Sequence, residues 1–225
     1  MESPLKLVRM QKGLTQAEVA VRVGVTQAYL SMLERGSRAA PRRLLARMAE
    51  LYDSPLLLPA EDQFPEADAE TLPAELAALG YPGFSYMRSP LRKNPAEVLL
   101  AALMKENLET RVAEAMPWIL LKYPDLNVNW LVDQAKLRDL QNRLGFVVTL
   151  ARRLAEKHNR SDARLPVFRH LETVLQRSRL AREDTLCQGL LTNAERRWLE
   201  SRRTNEARAW NLLTDLKVED VRYTA

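Results

Sequence analysis

A single cysteine, Cys187, stands in 225 residues. One thiol can build neither an intrachain disulfide framework nor a thiolate metal cluster. Histidine is nearly as rare: His158 and His170 are the whole supply. Neither has a second His or a Cys at metal-ligand spacing, so no metal site is expected. Seven glycines leave no glycine-rich loop to cradle a phosphate, and no nucleophile motif neighbours either histidine. The expectation is therefore no catalytic residues, no cofactor and no enzyme. No apolar run approaches the roughly 18 residues of a membrane helix, and MESPLKLVRMQKG has no stretch of signal-peptide length. A cytoplasmic chain with no membrane partner is expected.

What is present favours helix. Hydrophobic residues make up 46% and charged residues 28%, a globular balance in which Ala, Leu, Arg and Glu dominate. The formal charge of +5 and pI near 9.5 suit polyanionic partners. That charge is unevenly spread. Residues 1–52 hold nine Lys/Arg against four Asp/Glu, residues 53–94 three against seven, and the remainder 22 against 18. The positive charge is most concentrated in the first and smaller of the two basic zones, where it can act as a field.

That zone contains LTQAEVAVRVGVTQAYLSMLERG, residues 14–36. Thr15 and Glu18 have the spacing of a capping box. Val19, Ala20 and Val23 share one helical face, and Gly24 can take the left-handed turn that follows. Val25 fills the corner, Thr26 caps a second helix, and Leu30 and Leu33 face the first. Gln27, Ala28, Ser31, Met32 and Arg35 form the outward stripe. Two helices so joined make a helix-turn-helix, whose second helix enters a DNA major groove.

The stretch resembles the phage-repressor-like, or Xre-type, helix-turn-helix domains. The likeness runs over about residues 5–52 and includes the LTQ opening, the central Ala20, the GV corner and the ERG exit. It implies roles for individual residues. Gln27, Ala28 and Met32 fall where relatives read bases, Gln27 offering the amide that pairs with adenine and Ala28 a methyl for thymine. Met32 departs from the usual polar reader and leaves only apolar contact, with solvent exposure or a dimer contact as the alternative. Gln16 matches a phosphate-contacting residue that also braces the base-reading glutamine. Tyr29 is expected either to bond a phosphate or to pack along the helix edge. Arg35, Arg38, Arg42 and Arg43 cluster where the family follows the sugar-phosphate backbone. Arg9 and Glu34 resemble a structural ion pair outside the DNA site.

Downstream, Pro55, Pro59, Pro65, Pro73, Pro82 and Pro90 break up an acidic stretch. It is expected to be a connector, residues 54–94, containing one short helix in PAELAALGY ended by Gly80. An acidic segment of this kind could also contact the basic N-terminal zone. From Asn94 helices are expected near 95–104, 107–122, 127–143, 145–158, 164–180 and 192–214, with capping boxes at Asn94/Glu97 and Thr192/Glu195. Gly145 is expected to divide or bend the central segment and Pro117 to kink its helix. Trp118, Trp130, Trp198 and Trp210 are expected in the core. Leu137, Leu140, Leu144, Val147, Val148 and Leu154 form a stripe suited to a core or a partner helix.

The fold expected is all-α: a helix-turn-helix bundle over residues 1–53, the connector, and a larger helical interaction or oligomerisation domain over 95–225. The function expected is sequence-specific regulation of transcription, as a homodimeric repressor on a double-stranded DNA operator. The alternative is an antitoxin whose C-terminal domain binds a toxin while the N-terminal domain regulates their operon.

Overall fold

A computed structural model describes residues 3–58, 71–90, 93–186, 188–189 and 191–221. The structure is all-α, with two hydrophobic cores. The smaller is built by α1 (Pro4–Gln11), α2 (Gln16–Val23), α3 (Gln27–Glu34) and α4 (Arg42–Tyr52), followed by a 3-10 turn at Pro55–Leu57. Leu5, Val19, Ala20, Val23, Leu30, Leu33, Leu44, Met48 and Tyr52 meet inside it.

The larger core gathers α5 (Leu72–Ala78), α6 (Pro95–Met104), α7 (Thr110–Lys122), α8 (Val128–Leu137), α9 (Gln141–His158), α10 (Leu165–Gln176) and α12 (Asn205–Ala209). The more exposed α11 (Asn193–Arg202) precedes α12. Among the described residues one pair of strands departs from helix: Asp184–Thr185 (β1) pairs in parallel with Leu212–Leu213 (β2). No described helix is long and apolar enough to cross a membrane.

α9 is the axis of this domain. Every residue from Gln141 to Ala151 is buried, as a helix packed on all sides requires. Its polar residues staple neighbouring segments of chain to it. Asn142 donates to Leu180 O and accepts from Leu180 N, at 3.0 and 2.9 Å. Arg143 binds both oxygens of Asp184 at 2.7 and 2.9 Å and donates to Leu103 O at 2.8 Å. The Trp210 indole N–H reaches Thr149 Oγ1 at 2.9 Å, and that hydroxyl donates to Gly145 O. Gly145 therefore neither divides nor ends the helix. Its missing side chain lets the indole lie against the backbone, since a Cβ there would stand 2.3 Å from Trp210 Cζ3. The break before α9 comes earlier, at Asp139, which takes φ 58°.

Other expectations shift in instructive ways. The stretch around α5, expected within the connector, packs Leu72, Leu76, Leu79, Tyr81 and Phe84 into the larger core. Tyr81 lies edge-on to Trp118 with ring centroids 5.2 Å apart, and Tyr123 Oη donates to Leu79 O at 2.7 Å. Most of the acidic proline-rich run, residues 59–70, lies outside the described residues, as does Cys187. Trp118 and Trp210 are core residues and Trp130 is half-buried, but Trp198 is 46% exposed with the Arg202 guanidinium 4.9 Å above its ring. Leu137, placed on the α9 stripe, is 75% exposed at the end of α8. The long C-terminal helix divides at Arg203 because Thr204 caps α12, its hydroxyl accepting from Ala207 N at 3.1 Å.

The two cores touch at a helix cap. Asn94 Oδ1 accepts from Ala96 N at 2.9 Å, and Glu97 accepts from Asn94 N at 3.0 Å. The Asn94 amide then donates to Leu58 O at 2.6 Å, in the tail of the N-terminal bundle. Burial raises the Glu97 carboxyl, against the Asn94 N–H and the charges of Arg42 and Lys93.

Candidate nucleic-acid interface

The N-terminal helices are held by local chemistry before any packing. Thr15 N donates to Glu18 Oε2 at 2.8 Å while Glu18 N donates to Thr15 Oγ1 at 3.3 Å, closing the capping box on α2. Gly24 ends α2 at φ 69°, ψ 43°, a conformation costly to any residue with a Cβ. Val25 N returns to Ala20 O at 2.9 Å, and Thr26 Oγ1 accepts from Tyr29 N at 3.2 Å to start α3. Three residues form the sharp corner between two helices.

α3 is anchored on one side only. Leu30 and Leu33 are buried, while Gln27 and Ala28 at its N-terminal end are exposed. Met32 and Tyr29 are half-buried, and Tyr29 packs against the bundle core. Arg35 folds back so that Nε donates to Ser31 O at 3.2 Å. Arg38 and Arg43 are exposed with no ion pair among the described residues. Arg42 is exposed too, but its charge is felt by Glu97 across the junction between the cores.

A buried carboxylate fixes the angle of α3. Glu34, 4% exposed, accepts from Arg9 Nε at 2.6 Å and from Arg9 Nη2 at 3.0 Å. Gln16 Nε2 donates to the same carboxylate at 2.9 Å, an orientation forced by chemistry because a carboxylate can only accept. Arg9 also donates to Leu14 O at 2.7 Å. One cluster thus ties α1, the loop before α2, the start of α2 and the end of α3. Burial pushes the Glu34 carboxyl up, but the bonds from Arg9 and Gln16 outweigh it and hold the group below its ordinary value. The nearby Tyr52 hydroxyl is pushed up to about 12 by burial and by the Glu34 charge, and has no hydrogen-bond partner among the described residues.

The expected Arg9–Glu34 pair is present, and Gln16 is its third member. The structure adds Arg47 to the arginine cluster. It is exposed on α4, one turn after Arg43, and its guanidinium lies beside the Gly24 turn, 3.5 Å from where a Cβ would stand. The signal was available: positions 43 and 47 share one helical face. Chemically, the face offers one uncommitted amide and one methyl at the tip of α3, flanked by arginines.

Residues 5–58 match the helix-turn-helix family, consistent with the Xre-type likeness read from the sequence. The match covers the smaller core and indicates a DNA-binding regulatory function for it. Neither the curated proteins nor the solved structures gave a match to the chain.

Proposed function

We propose that the chain is a sequence-specific transcriptional regulator that binds a double-stranded operator as a homodimer and represses from it. The observation that carries this reading is the tip of α3. Gln27 and Ala28 stand exposed on a helix whose other face is locked by Leu30, Leu33 and Glu34. A rigid helix presenting an amide and a methyl suits direct reading of an adenine and a thymine in a major groove. Gln16, Tyr29, Arg35, Arg38, Arg42, Arg43 and, added from the structure, Arg47 then serve the phosphates. They position the helix and dominate affinity without selecting sequence. Met32, half-buried, contributes apolar contact at the edge of the readout. One such module reads few base pairs, so two-fold pairing is the economical route to specificity, and the larger domain supplies the pairing surface.

The antitoxin reading draws support from one feature. Trp198, exposed beneath Arg202, combines two residue types that anchor protein interfaces. Copurification from the native host tests it: a single stoichiometric partner lost on Trp198→Ala supports it, and an intact partner in that variant removes its basis.

The test of the main reading is selection of bound duplexes from a random library by the full chain. A two-fold symmetric consensus is expected. Binding without enrichment of any sequence would reduce the helix-turn-helix to a non-specific clamp.

A further inference from the structure

A second basic surface lies far along the chain from α3. Between α9, α10 and α12 runs a groove of about 730 Å³, adjoined by another of about 520 Å³, with Arg153 and Arg169 in the walls of both. Six cations line the pair: Arg152, Arg153, Lys157, Arg160, Arg169 and Arg177. Only three carboxylates accompany them, Glu156, Glu172 and Glu206.

Those carboxylates are committed to particular guanidinium edges. Arg152 Nε donates to both Glu172 oxygens at 3.0 and 2.9 Å, and Nη1 to both Glu156 oxygens at 2.9 Å. Its plane is therefore fixed, while Nη2 has no partner among the described residues. Arg169 Nη2 shares Glu156 Oε1 at 3.1 Å, and Arg153 lies 3.4 Å from Glu206. Arg177, Lys157 and Arg160 form no ion pair among the described residues. The groove thus carries an excess of three positive charges, and one guanidinium is already oriented at no further entropic cost.

We propose that this groove binds a small molecule bearing two or three linked phosphates. Volume and charge both fit: pockets of about 300–1,000 Å³ hold ligands of that size, and an oligophosphate carries the charge the groove lacks. Arginine edges suit phosphate oxygens, because paired N–H groups match paired acceptors. The amides of Gln176 and Asn205 line the same walls and can donate to bridging oxygens, while the Thr173 hydroxyl there already donates to Arg169 O at 2.9 Å. A DNA duplex is the poorer occupant, since a rod about 20 Å across cannot enter a cleft between packed helices whose walls also carry carboxylates. The assignment does not depend on what α3 reads.

The experiment is calorimetric titration of the full chain with sodium tripolyphosphate and, separately, with ATP, which distinguishes an inorganic from a nucleoside source. One site per chain is expected. Arg153→Gln/Arg177→Gln should weaken tripolyphosphate by about tenfold or more, the loss of two charge-assisted contacts. Arg177→Gln alone breaks no side-chain hydrogen bond or ion pair among the described residues and should weaken it several-fold. Arg38→Gln/Arg43→Gln, on the other basic surface, should leave it within about twofold. Absence of saturable binding overturns the proposal. So does a loss that follows Arg38 and Arg43, which would place the anion on the DNA-facing surface. Weakened random-duplex binding in the groove variant with tripolyphosphate unchanged would make the groove a nucleic-acid track and overturn it equally.

Discussion

Gly145→Ala adds one methyl at the most confined point of the larger core. The new carbon would lie 2.3 Å from Trp210 Cζ3 and 2.5 Å from Cε3 and Cη2, where ordinary contact begins at 3.4 Å. The indole must therefore retreat by about 1 Å, or α9 must bend. Trp210 is 1% exposed and bonded through Nε1 to Thr149 at 2.9 Å, so neither motion is free. Overpacking of this sort costs about 1–3 kcal/mol, and a lost indole bond adds about 1 kcal/mol. Against this, alanine is favoured over glycine inside a helix by about 1 kcal/mol. The net expectation is destabilisation by about 1–3 kcal/mol, with an altered near-ultraviolet signal from Trp210. Urea unfolding followed by tryptophan fluorescence measures the first, and circular dichroism the second. An alanine variant as stable as the parent, with an unchanged aromatic spectrum, would refute the close approach and restore Gly145 to a merely tolerated helical glycine.

Glu34→Gln should cost about 1.5–3 kcal/mol, because the part-buried Arg9 loses its charge-assisted bonds to a carboxylate. It should also remove part of the acid limb. Because the folded carboxyl lies below its unfolded value, its contribution is complete above the ordinary glutamate range and drains away as pH falls through the folded value. Urea midpoints from about pH 7 down to about pH 3 should then converge between parent and variant; a constant gap would refute the coupling. Tyr52→Phe removes a buried hydroxyl with no partner among the described residues, so stability should hold or rise by up to about 1 kcal/mol, whereas a loss in thermal melting would reveal a bond to that oxygen. Arg38→Ala/Arg43→Ala should weaken all duplexes alike and lower the log-affinity against log-salt slope by about two, one for each phosphate contact. An unchanged slope would make both arginines bystanders.

Legibility followed the range of the interactions. The corner of the helix-turn-helix could be read because Thr15, Glu18, Gly24 and Thr26 each act on a partner no more than four residues away. The start of α6 was equally plain, since Asn94, Pro95 and Glu97 cap it locally. What depends on distant partners was not. Prolines around residue 73 read as linker, yet Pro73 occupies the first turn of α5, where its missing N–H is harmless. The burial of Leu72, Leu76 and Tyr81 is decided by α6 and α7. Gly145 looked like a helix divider because its reason, Trp210, lies 65 positions away. Thr204 was a missed local signal: a threonine two residues before Glu206, after an arginine pair, has the pattern of an N-cap. On the candidate DNA face, the arginine cluster was visible as composition, but the charge of Arg42 acting on Glu97 and the place of Arg47 beside the Gly24 turn required the fold.

The central claim is that Gln27 reads a base while the arginines hold the backbone. The most direct measurement is the affinity of Gln27→Ala for an operator set varied at every position, compared with random duplex at the same salt concentration. The account expects preference to collapse by about 1–3 kcal/mol at one position in each half-site, with random-duplex affinity unchanged. A loss spread evenly over every operator variant and over random DNA would contradict it and place Gln27 on the phosphates.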